Sequence, residues 1–324
     1  MSHNIQVLGI SNAIVDVFAH VDEQFLVQIG APKRSMVLID EARAREVYGR
    51  MGPTTQESGG SVANTIAGIA NLGGRTAYIG CVADDQLGQI FNHDMQSLGV
   101  DVRLPAAQGG LPTARSYILI TPDGERTMQT YLGACTQLSP KDVTARTFGE
   151  PEVALLEGYV WDLPQGPAAI ASAIALARQA GTKVAMSLSD AECVKRHHAE
   201  FTAAVGRDVT IVFGNETEVM ALFEVSDVDA ALRKAAQLDA LFVVTRSEKG
   251  SVIVQGSRRI EQAAYPVRKV VDATGAGDAY VAGFLYSLTS GRDLKDCADL
   301  GSRAATAVIQ QVGARLEKDS LYRS

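Results

Sequence analysis

VVDATGAGDAYVAGF, spanning Val270 to Phe284, joins an apolar run to a helical pattern through the turn Asp272-Ala273-Thr274-Gly275-Ala276-Gly277-Asp278. Gly275, Ala276 and Gly277 carry almost no side chain. Three successive backbone N–H groups can therefore close around an anion at the start of a helix holding Tyr280, Val281, Phe284 and Leu285. The unpaired N–H groups and the positive end of the helix dipole favour negative charge there. Asp278 does not suit anion binding alone, because a carboxylate repels phosphate; it suits an acceptor for the proton of an attacking hydroxyl. The competing readings are a glycine-rich packing turn and a fragment of a dinucleotide fingerprint. The second fits poorly: the third glycine of GxGxxG would fall at Tyr280, and the segment lies near the C-terminus rather than in an opening βαβ unit. No GxxxxGK[ST] occurs, so an ATP reading cannot rest on a Walker loop.

Moving outward, apolar bursts of strand length alternate with amphipathic stretches of helix length, the pattern of a parallel sheet covered on both faces. Buried strands are predicted at Ile5–Ile10, Thr76–Val82, Val153–Leu156, Lys183–Ser187, Val209–Phe213 and Leu241–Thr245. Helix starts are read at Ser61, with Val62, Ile66, Ile69 and Leu72 on one face, at Asp84, and at Ser139-Pro140 as a cap with a first-turn proline. Two stretches break the rhythm. Ala13–Ile39 and Thr113–Leu132 read as β, the second as a hairpin whose strands Tyr117–Ile120 and Arg126–Tyr131 flank the turn Thr121-Pro122-Asp123-Gly124. Strands without intervening helices predict a separate small sheet. The expected architecture is one α/β unit over residues 1–324, with a β lid formed by roughly 13–39 and 113–132.

The 324 residues are 46% hydrophobic and 21% charged, ordinary for a soluble globular enzyme. A net charge of -7 argues against a generic nucleic-acid binder. Cys81, Cys135, Cys193 and Cys297 show no metal-ligand spacing and read as reduced thiols. Neither a signal peptide nor an apolar run of transmembrane length is visible, which predicts a cytoplasmic protein away from membranes. The pair His197-His198, next to Lys195 and Arg196, reads as a solvated helix face rather than a metal site.

The turn DATGAGD resembles the signature of the ribokinase-like carbohydrate and nucleoside kinases, a fold with a central, mostly parallel sheet, flanking helices and a small β lid. The resemblance implies ATP-dependent phosphorylation of an alcohol, with Asp278 as catalytic base, Gly275, Ala276 and Gly277 as the anion hole, and Asp272 and Thr274 at structural and phosphate-side positions. GGSVAN (Gly59–Asn64), SNAIVD (Ser11–Asp16) and GERTMQTYLGA (Gly124–Ala134) resemble the adenosine and nucleoside kinase branch, whereas the ribokinase type tends to carry Lys at the position of Ser61. By that resemblance Asp16 holds the ribose 2′- and 3′-hydroxyls, and Asn12, Gly60, Ser61 and Asn64 complete the sugar contacts. Read without it, GGS before a helix is a turn and cap.

A flat base needs apolar or aromatic walls, for which Met36, Leu132, Ala134, Tyr159 and Trp161 are candidates, the aromatic ones being equally readable as core. Asn215-Glu216-Thr217-Glu218 resembles the family's NxxE element, which acts on Mg²⁺ through water and selects Asn215 and Glu218; an N-cap with acidic first-turn residues explains it as well. Thr245 to Gly250 resembles a TxGxxG loop that meets ATP, with Ser247 in place of the middle glycine and Lys249 facing either phosphate or water. Arg126 is a candidate phosphate or substrate contact. A monovalent cation such as K⁺ near Asp272 comes from the resemblance only, and a monomer or homodimer is expected. Taken together, the resemblance implies 5′-phosphorylation of a purine nucleoside, adenosine first, by MgATP. Its rivals are a broader nucleoside kinase (guanosine, inosine, cytidine), a sugar kinase, and a nucleoside-binding regulator without turnover.

Overall fold

A computed structural model describes residues 5–103 and 110–317 of the chain. Fourteen strands are described: β1 (Val7–Ile10), β2 (Ile14–His20), β3 (Met36–Leu38), β4 (Thr55–Gly59), β5 (Thr76–Ile79), β6 (Asp101–Val102), β7 (Ala114–Ile120), β8 (Arg126–Tyr131), β9 (Val153–Glu157), β10 (Lys183–Ser187), β11 (Ile211–Asn215), β12 (Leu241–Thr245), β13 (Ser251–Gln255) and β14 (Arg258–Gln262). Nine form one sheet in the order β14-β13-β12-β11-β10-β9-β1-β5-β6, parallel except where β13 and β14 pair antiparallel. Five form a second sheet in the order β3-β8-β7-β2-β4. The α/β architecture with a mostly parallel central sheet is therefore as the sequence predicts.

The central strands are near-continuous Val, Ile, Leu and Ala because helices cover both faces, leaving no solvent side for polar alternation. Two separate apolar layers result, one on each face of the large sheet. Helix Ala276–Thr289 is anchored by Phe284, which is fully buried and stands edge-on to Phe213 with ring centroids 5.5 Å apart. Burial of such a side chain contributes roughly 2–3 kcal/mol.

Local starts differ from several expectations. Helix Ser61–Asn71 has Gly60 at its N-cap, so Ser61 lies inside the first turn and its hydroxyl is free for another partner. Asp85, not Asp84, caps helix Gln86–Ser97 by accepting from Gly88 N. Ser139-Pro140 opens a turn rather than a helix: Asp142 accepts from Ser139 N at 2.9 Å, and a four-residue helix begins only at Ala145 under a Thr144 cap. Ala13–Ile39 is not β throughout, because Asp22 caps the short helix Glu23–Gln28. The second sheet also contains β4, Thr-Gln-Glu-Ser-Gly, whose lack of apolar residues hid it from a hydrophobic reading. Among the described residues no helix is long and apolar enough to cross a membrane, and all four cysteines are buried free thiols.

Candidate active site

The C-terminal ends of the parallel strands converge on one crevice, the general ligand position of open α/β sheets. Asn12 follows β1, Glu157 ends β9, Asn215 ends β11 and Thr245 ends β12, with Asn215 and Thr245 directly paired across their strands. Helix Ala276–Thr289 points its N-terminus here. Gly275 caps it with φ of 76°, and a Cβ at that position would lie 2.3 Å from the Ala314 carbonyl oxygen, so no side chain fits. Gly277 faces open space.

Asp278, in the first turn, meets helix Ser61–Asn71 side-on. Ser61 Oγ donates to its Oδ1 at 2.6 Å, Asn64 Nδ2 donates to its Oδ2 at 3.3 Å, and Thr65 Oγ1 donates to its backbone carbonyl at 3.1 Å. Positions 61, 64 and 65 share one helix face by 3.6-residue periodicity. Burial pushes the Asp278 carboxyl up to about 6, against the lowering effect of the Ser61 and Asn64 bonds. The group is thus mostly ionised at neutral pH and more basic than an ordinary aspartate, as a proton acceptor requires.

Asp16 sits on β2 opposite Glu57 of β4. It packs against Gly59, where a Cβ would fall 2.3 Å from Asp16 Oδ2. Burial, reinforced by Glu57 and opposed chiefly by Arg315, raises its carboxyl to about 7. Asn12 is buried; its Nδ2 donates to Glu157 Oε1 at 3.1 Å, while its Oδ1 has no partner. Glu157 also accepts from Val62 N at 3.2 Å and is raised to about 7, mainly by burial.

One cavity runs past Ser61, Gly277, Asp278, Asn215, Glu218 and Thr245, bringing together residues that span most of the chain. Asn215 and Glu218 form a capping box on helix Glu216–Leu222: Asn215 Oδ1 accepts from Glu218 N, and Glu218 accepts from Asn215 N at 3.1 Å and Nδ2 at 2.5 Å. Glu218 is buried and raised to about 7 by desolvation. Capping leaves its carboxyl at the cavity wall, where it would hold a hydrated Mg²⁺ through water. Ser247 takes φ of 51°, so the loop keeps the left-handed backbone that a glycine would adopt there. Arg246 and Lys249 both turn to Glu216, at 2.8 and 3.8 Å.

The sequence profile of the pfkB family carbohydrate kinases matches residues 24–320. The chain belongs to that family. Among solved structures it is similar to adenosine kinase from Sinorhizobium meliloti, at 47% identity and TM-score 0.91 with 99% of each chain covered. It is also similar to a probable sugar kinase protein from Rhizobium etli CFN 42, at 45% identity and TM-score 0.91, covering 99% of this chain and 97% of that one. Among curated relatives, 5-dehydro-2-deoxygluconokinase from Halalkalibacterium halodurans is 27% identical over 81% of this chain and 86% of its own length. As a pfkB-family kinase the chain is a phosphotransferase with a hydroxyl acceptor, and the family implies use of ATP and Mg²⁺.

In this pfkB-family kinase the second sheet meets the turn Asp272–Asp278 through Arg126, whose guanidinium forms a buried ion pair with Asp272 and lies 3.5 Å from Thr274 Oγ1. Asp272 also accepts from Thr274 N and Gly313 N, each at 3.0 Å. Of the base-wall candidates, Met36 is exposed, Leu132 and Tyr159 are half-buried, and Ala134 is fully buried. Trp161 is core, edge-on to Phe201 at 5.0 Å. Sequence reading passed over Glu157, Arg315 and Leu38. Leu38 was findable by strand alternation from Met36, and Glu157 as a charge closing the apolar run Val153–Leu156; Arg315, close to Glu317, Lys318 and Asp319, gave no signal.

Proposed function

We propose that this kinase transfers the γ-phosphoryl group of ATP to the 5′-hydroxyl of a purine nucleoside, with adenosine as the first substrate. The observation that carries the nucleoside over a free sugar is strand register in the lid. Asp16 pairs with Ser116, Ser116 with Thr130, and Thr130 with Leu38; Ile118 pairs with Met128, and Met128 with Met36. Paired residues project from the same face of a sheet. The face bearing Asp16, and bearing Arg126 toward Asp272, therefore also bears Met36 and Leu38, which are 46% and 56% exposed. A diol acceptor and an uncovered apolar wall on one surface match the two ends of a nucleoside.

MgATP, when bound, supplies the phosphoryl group and the cation that neutralises its charge. The chain's own residues do the rest. Asp16 and the unpartnered Asn12 Oδ1 accept from ribose hydroxyls, fixing the acceptor. Asp278 Oδ2 takes the proton of the 5′-hydroxyl as the new O–P bond forms. The N–H groups from Gly275 to Gly277 receive the phosphoryl oxygens, and the 3.3 Å contact of Ala276 N to the Ala273 carbonyl is weak enough to yield. Glu218 and Asn215 would hold the cation through water, and Thr245, which lines the same cavity, would border the nucleotide.

The second reading, a sugar acceptor, is favoured by the probable sugar kinase at 45% identity. A panel of nucleosides and free sugars with MgATP, scored by ADP formation and product mass, separates them. Adenosine turned over best, with AMP as product, supports the proposal; a free sugar turned over best with adenosine inert defeats it. Adenosine bound without ADP formation would favour a regulator.

A further inference from the structure

Asn64 carries one amide whose two ends differ only in which atom faces Asp278. Its Oδ1 accepts from Arg315 Nε at 3.3 Å, and its Nδ2 donates to Asp278 Oδ2 at 3.3 Å. A guanidinium has donors only and a carboxylate acceptors only. Turning the amide over would set oxygen against carboxylate and NH₂ against guanidinium, losing both bonds at once.

The surroundings of Arg315 show that its task is not an ordinary ion pair. Asp16 on β2, Glu57 on β4, Asp94 on helix Gln86–Ser97 and Tyr78 on β5 all lie near enough to act on its charge, yet among the described residues none forms an ion pair with it. Asp94 is occupied by Ser58 N and Oγ, at 2.9 and 3.0 Å. The guanidinium instead contacts the Asn64 amide and, at 3.5 Å, Met95 Sδ. Its backbone is fixed on both sides: Gly313 N donates to Asp272, Gln311 Nε2 donates to the Arg315 carbonyl at 2.5 Å, and Asn71 Nδ2 donates to the Leu316 carbonyl at 2.7 Å. The last bond ties the segment to the helix that carries Asn64.

We propose that Arg315 is a positioning residue that locks the Asn64 amide so that its nitrogen, rather than its oxygen, faces Asp278. The inference rests on the reading of Asp278 as the base. Arg315 acts through Asn64, keeping a donor on the carboxylate that must be ionised to accept a proton. The other charged groups around this centre, Asp16, Glu57, Asp94, Arg126 and Glu157, are the same whichever way the amide points.

The test is the pH profile of kcat, measured with whichever acceptor the substrate panel selects. Arg315→Met removes the donor, so the acid limb should move up by about one pH unit, the scale of one hydrogen bond lost from an ionised carboxylate. Asn64→Ala should give the same shift, and the double variant no further one, because both act through one contact. Arg315→Lys keeps a donor-only group for Asn64 Oδ1 and should hold the limb near its parent position. An unmoved limb in Arg315→Met, with only KM raised or stability lowered, overturns the inference. So does a limb that moves in Arg315→Met but stays in place in Asn64→Ala, since the Arg315 charge rather than the amide would then be at work. If the methionine variant does not fold, Arg315→Leu is read in its place: a limb shifted up supports the lock and an unmoved one overturns it. Asp278→Asn keeps the two readings apart. If it retains turnover, the base assignment itself falls; if it is inactive while Arg315→Met leaves the limb in place, only the lock falls.

Discussion

Ser61 Oγ donates to Asp278 Oδ1 at 2.6 Å, joining residues 217 positions apart. That bond aims the carboxylate and leaves Oδ2, shared only with Asn64 at 3.3 Å, as the oxygen on which a proton can land. Asp278→Asn preserves size and the Ser61 contact but removes the acceptor. Turnover should fall by about two or more orders of magnitude while nucleoside and ATP still bind, the scale of a lost general base. Near-parental kcat in this variant, with binding followed by calorimetry, would remove Asp278 from its role.

Glu218→Gln is a clean probe of the metal end because glutamine can still accept from Asn215 N and so keep the capping box. Thermal stability should change little, whereas the magnesium concentration for half-maximal rate should rise several-fold, as when an outer-shell partner of a metal is lost. The reverse pattern, unchanged magnesium response with collapsed nucleoside affinity, would place Glu218 at the wrong end of the site.

How far the sequence could be read depended on how local each signal is. DATGAGD announces its turn because Gly275, with φ of 76°, and Asp278 lie within four residues of one another. Buried strands β1, β5 and β9 to β12 were visible as apolar runs, since a parallel sheet covered on both sides needs nothing else. By contrast β4, with Gln56 and Glu57 in its centre, is a strand only because β2 pairs with it, and no window of its own sequence says so. Arg315 and Glu157 belong to the site through contacts with Asn64, Asn12 and Val62 that close in three dimensions. Charge alone could not separate Arg315 from the charged residues that follow it, and an acidic residue closing an apolar run does not by itself name its partners. Ser61 was read as a cap, and its displacement by Gly60 is what frees the hydroxyl for Asp278.

Arg126 and Asp272 form an ion pair with both side chains buried, and Arg126 also lies over the Phe18 ring at 5.6 Å. Removing one partner leaves a charge without compensation. Arg126→Ala should lower unfolding free energy by about 3 kcal/mol, toward the small end for broken buried pairs, because Asp272 keeps its two backbone donors. Urea melts of the ligand-free protein check this; a loss below about 1 kcal/mol would class the contact with exposed pairs.

Four carboxyls share one sign of shift. Asp16, Glu157 and Glu218 are raised to about 7 and Asp278 to about 6, with burial the leading cause in each. Unfolded, such groups titrate near pH 4, so between about pH 4 and 7 the folded state holds more protons than the unfolded one. Stability contributed by these groups is complete below that window and is lost as pH rises through it. The ligand-free protein should therefore melt at a higher temperature near pH 5 than near pH 8, judged by the linkage slope. A melting temperature that rises steadily over that range would contradict the burial of these carboxyls.

Asp16→Ala, compared across adenosine, 2′-deoxyadenosine and ribose, tests the acceptor directly. An ionised carboxylate that receives two ribose hydroxyls should cost adenosine about 2–4 kcal/mol in kcat/KM when it is removed, by the usual worth of hydrogen bonds to charged groups. Deoxyadenosine lacks one of those hydroxyls, so it should be poor with the parent enzyme and lose less on mutation. Binding should also be weaker below pH 7, where the raised Asp16 carboxyl takes up a proton and stops serving as a double acceptor. Free ribose should be poor throughout, because it leaves the surface of Met36 and Leu38 in water. If ribose outperforms adenosine, and Asp16→Ala penalises both nucleosides equally, the nucleoside assignment fails while the pfkB-family fold and the Asp278 chemistry stand apart from it.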